Sequence, residues 1–322
     1  MTAEASMVGG VLLLWLGGEY FVRGSVGLAR RLGVSELMIG LTLVGFGTSL
    51  PELTTSVTAA LSGAPGLTVG NVVGSNIANV LLILGLAALI RPVTSRRGAF
   101  ATDAAALAVA TLVAGAFILS RRITAIEGLI LIAGLATFVV VVYRRERRHP
   151  GPEAIVLEGE AAAAEPVPKS GFLTAVSIVA GLAGVTAGAW LLVGGAVEVA
   201  LRWGVSKTFI GLTIVAVGTS LPELVITAVA SLRGRSDVAL GNIMGSNMFN
   251  LLGILGVAAV LSPLEVGPEL RLLDLAVMVV ATALLIVTSA TRLRVTRWEG
   301  GLLLGGYVIY AAVRSWLAVQ AV

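Results

Sequence analysis

Gly40-Leu-Thr-Leu-Val-Gly-Phe-Gly-Thr48-Ser49-Leu-Pro51-Glu52 recurs 171 positions later as Gly211-Leu-Thr-Ile-Val-Ala-Val-Gly-Thr219-Ser220-Leu-Pro222-Glu223. Each copy places a proline and a carboxylate inside an apolar run. A proline there removes a backbone hydrogen bond and crowds the carbonyl one turn earlier, so it interrupts a helix. A carboxylate at bilayer depth costs a few kcal/mol by insertion scales (~2.5–3.5) and needs a partner. The hydroxyls of Thr48, Ser49, Thr219 and Ser220 lie within a turn of these breaks.

The surroundings of both copies are those of a membrane protein. The chain has 322 residues, of which 57% are hydrophobic and 12% charged, against roughly a quarter charged in soluble domains. Hydropathy gives ten spans, at 6–28, 36–62, 67–90, 99–119, 124–143, 171–200, 207–232, 238–261, 271–290 and 299–319, each near the ~20 residues that cross a bilayer core. No stretch reads as a cleaved signal, since Met7 to Leu28 is a full-length apolar span. Residues 144–170 are hydrophilic, rich in Arg, Glu, Ala and Pro, and are expected to be a flexible linker. The expected domains are therefore 1–143, the linker 144–170, and 171–322.

Placing the N-terminus outside puts 16 of the 22 Lys and Arg on the inner side, including four linker arginines, Arg91, Arg96, Arg97, Arg292, Arg294 and Arg297. That asymmetry predicts outer termini and a cytoplasmic linker in a cell inner membrane. The net charge of +4 is spread over short loops, so it does not point to nucleic acid. Cysteine is absent and the single His149 lies in the linker, which excludes thiolate metal sites and disulfides and argues against an enzyme.

The 171-residue offset holds without a gap from Gly33 to Gly85, and about half the residues from 40 to 85 match their partners. Outside it, Asp103 aligns with Asp274, read as helix N-terminal charges, and Glu127-Gly128 aligns with Glu299-Gly300 after a one-residue slip. Five spans per half is an odd number, so the second half enters the membrane inverted. The fold class expected is an all-α polytopic membrane protein of ten transmembrane helices in two inverted five-helix repeats, a signature of secondary transporters.

A second motif follows the first in each half: Gly70-Asn71-Val-Val-Gly74-Ser75-Asn76-Ile-Ala-Asn79 and Gly241-Asn242-Ile-Met-Gly245-Ser246-Asn247-Met-Phe-Asn250. Asn71, Ser75 and Asn79 fall at i, i+4 and i+8, one polar stripe on an apolar helix, as do Asn242, Ser246 and Asn250. Asn76 and Asn247 point about 100° away and read as glue between helices. The donors are all oxygen: carboxylates, amides, hydroxyls and freed carbonyls. Hard cations such as Ca²⁺ and Na⁺ suit that set and transition metals do not. When no metal ion is bound, a glutamate could take a proton instead, since burial and a like-charged neighbour both favour protonation.

The paired Gly-Thr-Ser-Leu-Pro-Glu and Gly-Asn-x-x-Gly-Ser-Asn motifs resemble the two alpha repeats of the calcium:cation antiporter superfamily, most closely prokaryotic sodium/calcium exchangers. The resemblance implies that Glu52 and Glu223 ligate Ca²⁺, with backbone carbonyls at Thr48 and Thr219. It implies that Ser49, Ser75, Ser220 and Ser246 ligate Na⁺, that Asn79 and Asn250 are central polar residues, and that the first and sixth spans slide against the rest. Asn250 departs from a frequent Asp, so the site carries a formal charge of −2 rather than −3. The function expected is antiport of Ca²⁺ against Na⁺ by alternating access, with a Ca²⁺/H⁺ or other cation exchanger as the alternative. No cofactor is expected beyond the transported ions and the membrane lipid, and the oligomeric state stays open, a monomer included.

Overall fold

The computed structural model describes residues 2–94, 97–148, 168, 170–204, 216–267, 270, 272–291 and 294–319. The first half contains helices α1 (Ala3–Leu32), α2 (Glu36–Thr48), α3 (Leu50–Leu61), α4 (Pro65–Ile90), α5 (Arg97–Leu119) and α6 (Ala125–Arg148). The second contains α7 (Gly171–Arg202), α8 (Ala216–Thr219), α9 (Leu221–Leu232), α10 (Ser236–Leu261), α11 (Leu272–Thr291) and α12 (Arg297–Val319). Among the described residues, seven helices are long and apolar enough to cross a membrane, eight if the bent pair α2–α3 is one span. Of the linker expected at 144–170, residues 144–148 instead continue α6 as helix, while 149–167 and 169, like the start of the expected seventh span at 207–215, lie outside the described residues.

Local chemistry sets the helix ends. Side chains of Thr2, Ser35 and Ser170 accept the amides of Ala5, Met38 and Leu173, satisfying donors that a helix start leaves free. The Glu127 and Glu299 pair explains itself as two capping boxes. Glu127 accepts the Thr124 amide at 2.7 Å and Glu299 the Thr296 amide at 2.7 Å, and each threonine hydroxyl accepts the glutamate's own amide. Asp103 and Asp274 behave differently from the helix-end charges expected. Asp103 lies two turns into α5 and holds Arg145 of α6 through two bonds, at 2.7 and 3.1 Å. Asp274, in the first turn of α11, accepts Tyr310 Oη at 2.9 Å and pairs with Arg314 of α12 at 3.1 Å. Each half thus ties its last two helices together with one aspartate.

Helices α1 and α7 run antiparallel with backbones in contact. A Cβ added to Gly17 would sit 2.6 Å from the Val185 amide nitrogen, and one added to Gly181 2.5 Å from that of Phe21. Gly10 meets Gly188 in the same manner, the small-residue packing that lets membrane helices approach closely. Around the centre, α4 and α10 are the most enclosed helices, and both widen into π turns, at Asn79–Leu84 and Phe249–Ile254. A third π turn occupies Gly40–Val44 of α2. The sequence reading did not anticipate any of them.

Among the described residues, four two-residue strands expose the relation between the halves. They are β1 (Val93–Thr94) between α4 and α5, β2 (Arg122–Ile123) between α5 and α6, β3 (Leu264–Glu265) between α10 and α11, and β4 (Arg294–Val295) between α11 and α12. β1 pairs antiparallel with β4, and β2 with β3. By the internal repeat, β1 corresponds to β3 and β2 to β4, so each strand pairs with the counterpart of its neighbour rather than with its own. Corresponding loops of the two halves therefore lie at opposite ends of α5 and α11.

Candidate cation-binding site

The site forms where the two copies of Thr-Ser-Leu-Pro-Glu meet, and the proline break sets its shape. The chain bends by 45° between α2 and α3, with Ser49 at φ −87°, ψ 9°. Pro51 then occupies the first turn of α3, where its missing N–H costs nothing. Pro222 does the same at the start of α9, after Ser220 at φ −93°, ψ 10°. Each break therefore costs little and turns a fresh helix N-terminus, with its glutamate, toward the centre.

The serines cross between the halves. Ser49 Oγ donates to Glu223 Oε1 at 2.9 Å, and Ser220 Oγ donates to Glu52 Oε1 at 3.2 Å. Both carboxylates are about 1% exposed. The second oxygens, Glu52 Oε2 and Glu223 Oε2, are buried with no hydrogen-bond partner among the described residues. Hydrogen bonds to charged groups contribute ~1.5–3 kcal/mol each, whereas effective burial of an ion costs several. One hydroxyl per carboxylate leaves that cost unmet, and a cation between the free oxygens would offset it.

The polar stripes close over this pair. Ser246 Oγ donates to the Gly45 carbonyl at 3.1 Å and lies 3.2 Å from Thr48 Oγ1, which donates to Asn242 Oδ1 at 3.2 Å. Asn242 Nδ2 donates in turn to Thr227 Oγ1 at 2.9 Å and to the Glu223 carbonyl at 3.3 Å. The first half repeats the supporting bond as Asn71 Nδ2 to Ser56 Oγ at 3.0 Å. Ser56 and Thr227, four residues after the glutamates in both copies, escaped the sequence reading. Their signal was a polar residue one turn after each glutamate, repeated at the same offset.

Asn79 and Asn250 sit at the starts of the π turns of α4 and α10, buried at 1% exposure. Among the described residues, both polar atoms of Asn250 and Oδ1 of Asn79 have no hydrogen-bond partner. Asn79 Nδ2 donates across the repeats to Asn247 Oδ1 at 3.0 Å. Asn247, expected to act as glue between helices, does so by joining α10 to α4 and holding a stripe residue in place. Asn76, expected to act as glue as well, instead donates within its own helix, to the Val72 carbonyl at 2.8 Å. Ser75 is buried on the face of α4 that carries Asn79.

The two copies are not equally enclosed. Thr48, Asn242 and Ser246 are fully buried, while Thr219 and Asn71 are half-buried. Thr219 lines a cavity of about 290 Å³ with Pro51, Pro222, Gly218 and the α7 residues Thr186 and Trp190. Space therefore reaches both prolines from the α8 side. On the α2 side, Gly45 seats its backbone on Gly245, where an added Cβ would lie 2.7 Å from the Gly245 carbonyl carbon. Phe46 stacks on Phe249 at a centroid distance of 4.8 Å. Among the described residues no three of His, Cys, Asp and Glu gather as a resident metal site would require.

Comparison with known proteins agrees with this construction. The family model described as sodium/calcium exchanger protein matches residues 4–144 and 173–316. The inner membrane protein YrbG of Escherichia coli is 33% identical over 324 residues, covering 99% of this chain and 98% of its own. The sodium/calcium exchanger MaX1 of Methanosarcina acetivorans is 32% identical over 335 residues, covering 94% and 96%. The solved structure of the sodium-calcium exchanger NCX_Mj, soaked with 2.5 mM Na⁺ and 0.1 mM Ca²⁺, superposes with a TM-score of 0.82 at 32% identity over 97% of this chain and 99% of that one. The chain belongs to the sodium/calcium exchanger family.

Proposed function

We propose that the protein is a secondary antiporter of the cell inner membrane that exchanges Ca²⁺ for Na⁺ at one central site by alternating access. The observation that carries this reading is the pair of buried oxygens without hydrogen-bond partners among the described residues, Glu52 Oε2 and Glu223 Oε2, on carboxylates that the serines of the opposite repeats bind. An oxygen-only set with two formal charges matches one Ca²⁺, which takes 6 to 8 oxygens. In this reading Glu52 and Glu223, with the carbonyls at Thr48 and Thr219, hold Ca²⁺. Ser49, Ser75, Ser220 and Ser246 hold Na⁺ beside it, and Asn79 and Asn250 complete the centre.

The architecture proposed is ten spans in two inverted five-helix repeats, counting α2–α3 and α8–α9 as one broken span each. The β1–β4 and β2–β3 pairings support the inversion, since they set corresponding loops on opposite sides. They also join Val93–Thr94 to Arg294–Val295, in two loops that the charge count places inside. On that orientation the cavity beside Thr219 faces outward. Both repeats belong to one chain, so a monomer suffices for the site.

Proton coupling is the second reading, favoured by the neutral Asn250 where a third carboxylate would attract additional Na⁺. Proteoliposomes loaded with Na⁺, K⁺ or a pH gradient separate the two through ⁴⁵Ca²⁺ uptake and charge movement. Uptake driven by an outward Na⁺ gradient is the expected result. Uptake that ignores Na⁺ and follows ΔpH would replace Na⁺ with H⁺ as the exchanged ion.

A further inference from the structure

A second cavity, far from the glutamates in character, opens between α5 and α6. It encloses about 450 Å³ and is lined by Ala105, Ala106 and Ala110 of α5 and Ile130, Gly134 and Phe138 of α6, among others. Small side chains face each other across it, so the two helices leave space between them. Its walls are open, with Val109 61%, Ile130 51% and Val141 45% exposed, while its floor is sealed by Leu131, Met248 and Leu252. Thr102 to Val113, the stretch of α5 along it, is roughly 16 Å long at about 1.5 Å per residue. Half of a bilayer core is about 15 Å. The groove thus has the length of one leaflet's acyl chain and opens sideways toward it.

The inner end of the groove carries charge. Asp103 at its wall is neutralised by the bidentate bond from Arg145, so no bare carboxylate repels an anion there. Glu146, the only acidic residue in the adjoining Arg144-Arg145-Glu146-Arg147-Arg148, is turned away and accepts the Ser35 amide at 2.6 Å. Arg144 and Arg147 are exposed, and Arg147 lies over Tyr143, 5.3 Å from the ring centre. An acyl-length groove ending in exposed arginines on the side predicted to be cytoplasmic matches an anionic phospholipid.

We infer that the α5–α6 groove binds one acyl chain of an anionic inner-leaflet phospholipid whose headgroup sits at Arg144 and Arg147. Its floor gives the lipid a route to the cation site. Met248 and Leu252 flank Asn250 on the π turn of α10, so an acyl chain packed on them supports the turn that presents that side chain.

The full chain in nanodiscs of phosphatidylcholine with and without phosphatidylglycerol tests this, with retained lipid counted by native mass spectrometry. Wild type is expected to keep one phosphatidylglycerol in preference to phosphatidylcholine. Ala106→Trp, which fills the groove, should lose it. Arg144→Gln with Arg147→Gln should keep a chain but lose roughly fivefold of the preference per arginine, from the surface attraction of one basic residue to anionic lipid. Should Ala106→Trp fail to fold, Gly134→Leu obstructs the opposite wall. Equal retention of the two lipids by wild type, or unchanged phosphatidylglycerol retention in the filled variants, would overturn the assignment. None of these outcomes depends on which ions are exchanged.

Discussion

Each buried glutamate has one oxygen held by a serine of the other repeat and one without a hydrogen-bond partner among the described residues. Glu52→Gln and Glu223→Gln each keep the shape but remove half the formal charge of the site. Each is expected to abolish ⁴⁵Ca²⁺ exchange while the purified variant keeps its helical circular dichroism; full exchange in both would refute the site. Ser49→Ala and Ser220→Ala remove one bond to a charged group, a change of ~1.5–3 kcal/mol. Calorimetric Ca²⁺ titration should show a loss of about tenfold or more for each. Asn250→Asp adds a third carboxylate beside the π turn, and tighter Ca²⁺ binding with altered charge movement per cycle is the expected outcome. Protons and metal ions compete for the same carboxylate oxygens, so binding releases protons wherever the empty site is protonated. Apparent Ca²⁺ affinity should therefore fall as pH is lowered, and a titration repeated at several pH values measures it.

At the scale of elements, glycine contacts and π turns decide what meets what. Gly245 packs on the Leu41 and Gly45 backbones, and Gly181 on that of Phe21. Neither contact has room for a methyl group, and overpacking typically costs ~1–3 kcal/mol. Gly245→Ala and Gly181→Ala should lower the thermal midpoint in detergent by several degrees. Gly305→Ala, where an added Cβ meets nothing within 4 Å, should leave it unchanged or raise it slightly. A similar midpoint for all three would show that these backbone contacts do not support the fold. Proline breaks were readable because proline acts on its own helix. The π turns were not, since nothing in the residue types or periodicity of Asn79–Leu84 marks an extra turn.

For the whole molecule, the repeat sets the architecture and its small departures set the state. The 171-residue offset, the proline breaks, both glutamates and the two polar stripes were legible because each is a local or periodic pattern in the chain. So was the capping pair Glu127 and Glu299, although its meaning as two capping boxes needed coordinates. Asp274 does lie in the first turn of its helix and Asp103 two turns into its own, yet their partners Arg314 and Arg145 lie about 40 residues away, beyond the reach of any local rule. Sequence by itself determined that an apolar, cysteine-free chain carries two copies of an oxygen-rich, carboxylate-bearing break, and hence that it handles a hard cation in a membrane. Only the tertiary structure decided that Ser49 serves Glu223 and Ser220 serves Glu52, that Asn247 holds Asn79, and that one side of the site is sealed while the other opens beside Thr219. Those pairings join residues about 170 positions apart, and at that separation only the packing of one repeat against the other brings side chains within hydrogen-bonding distance.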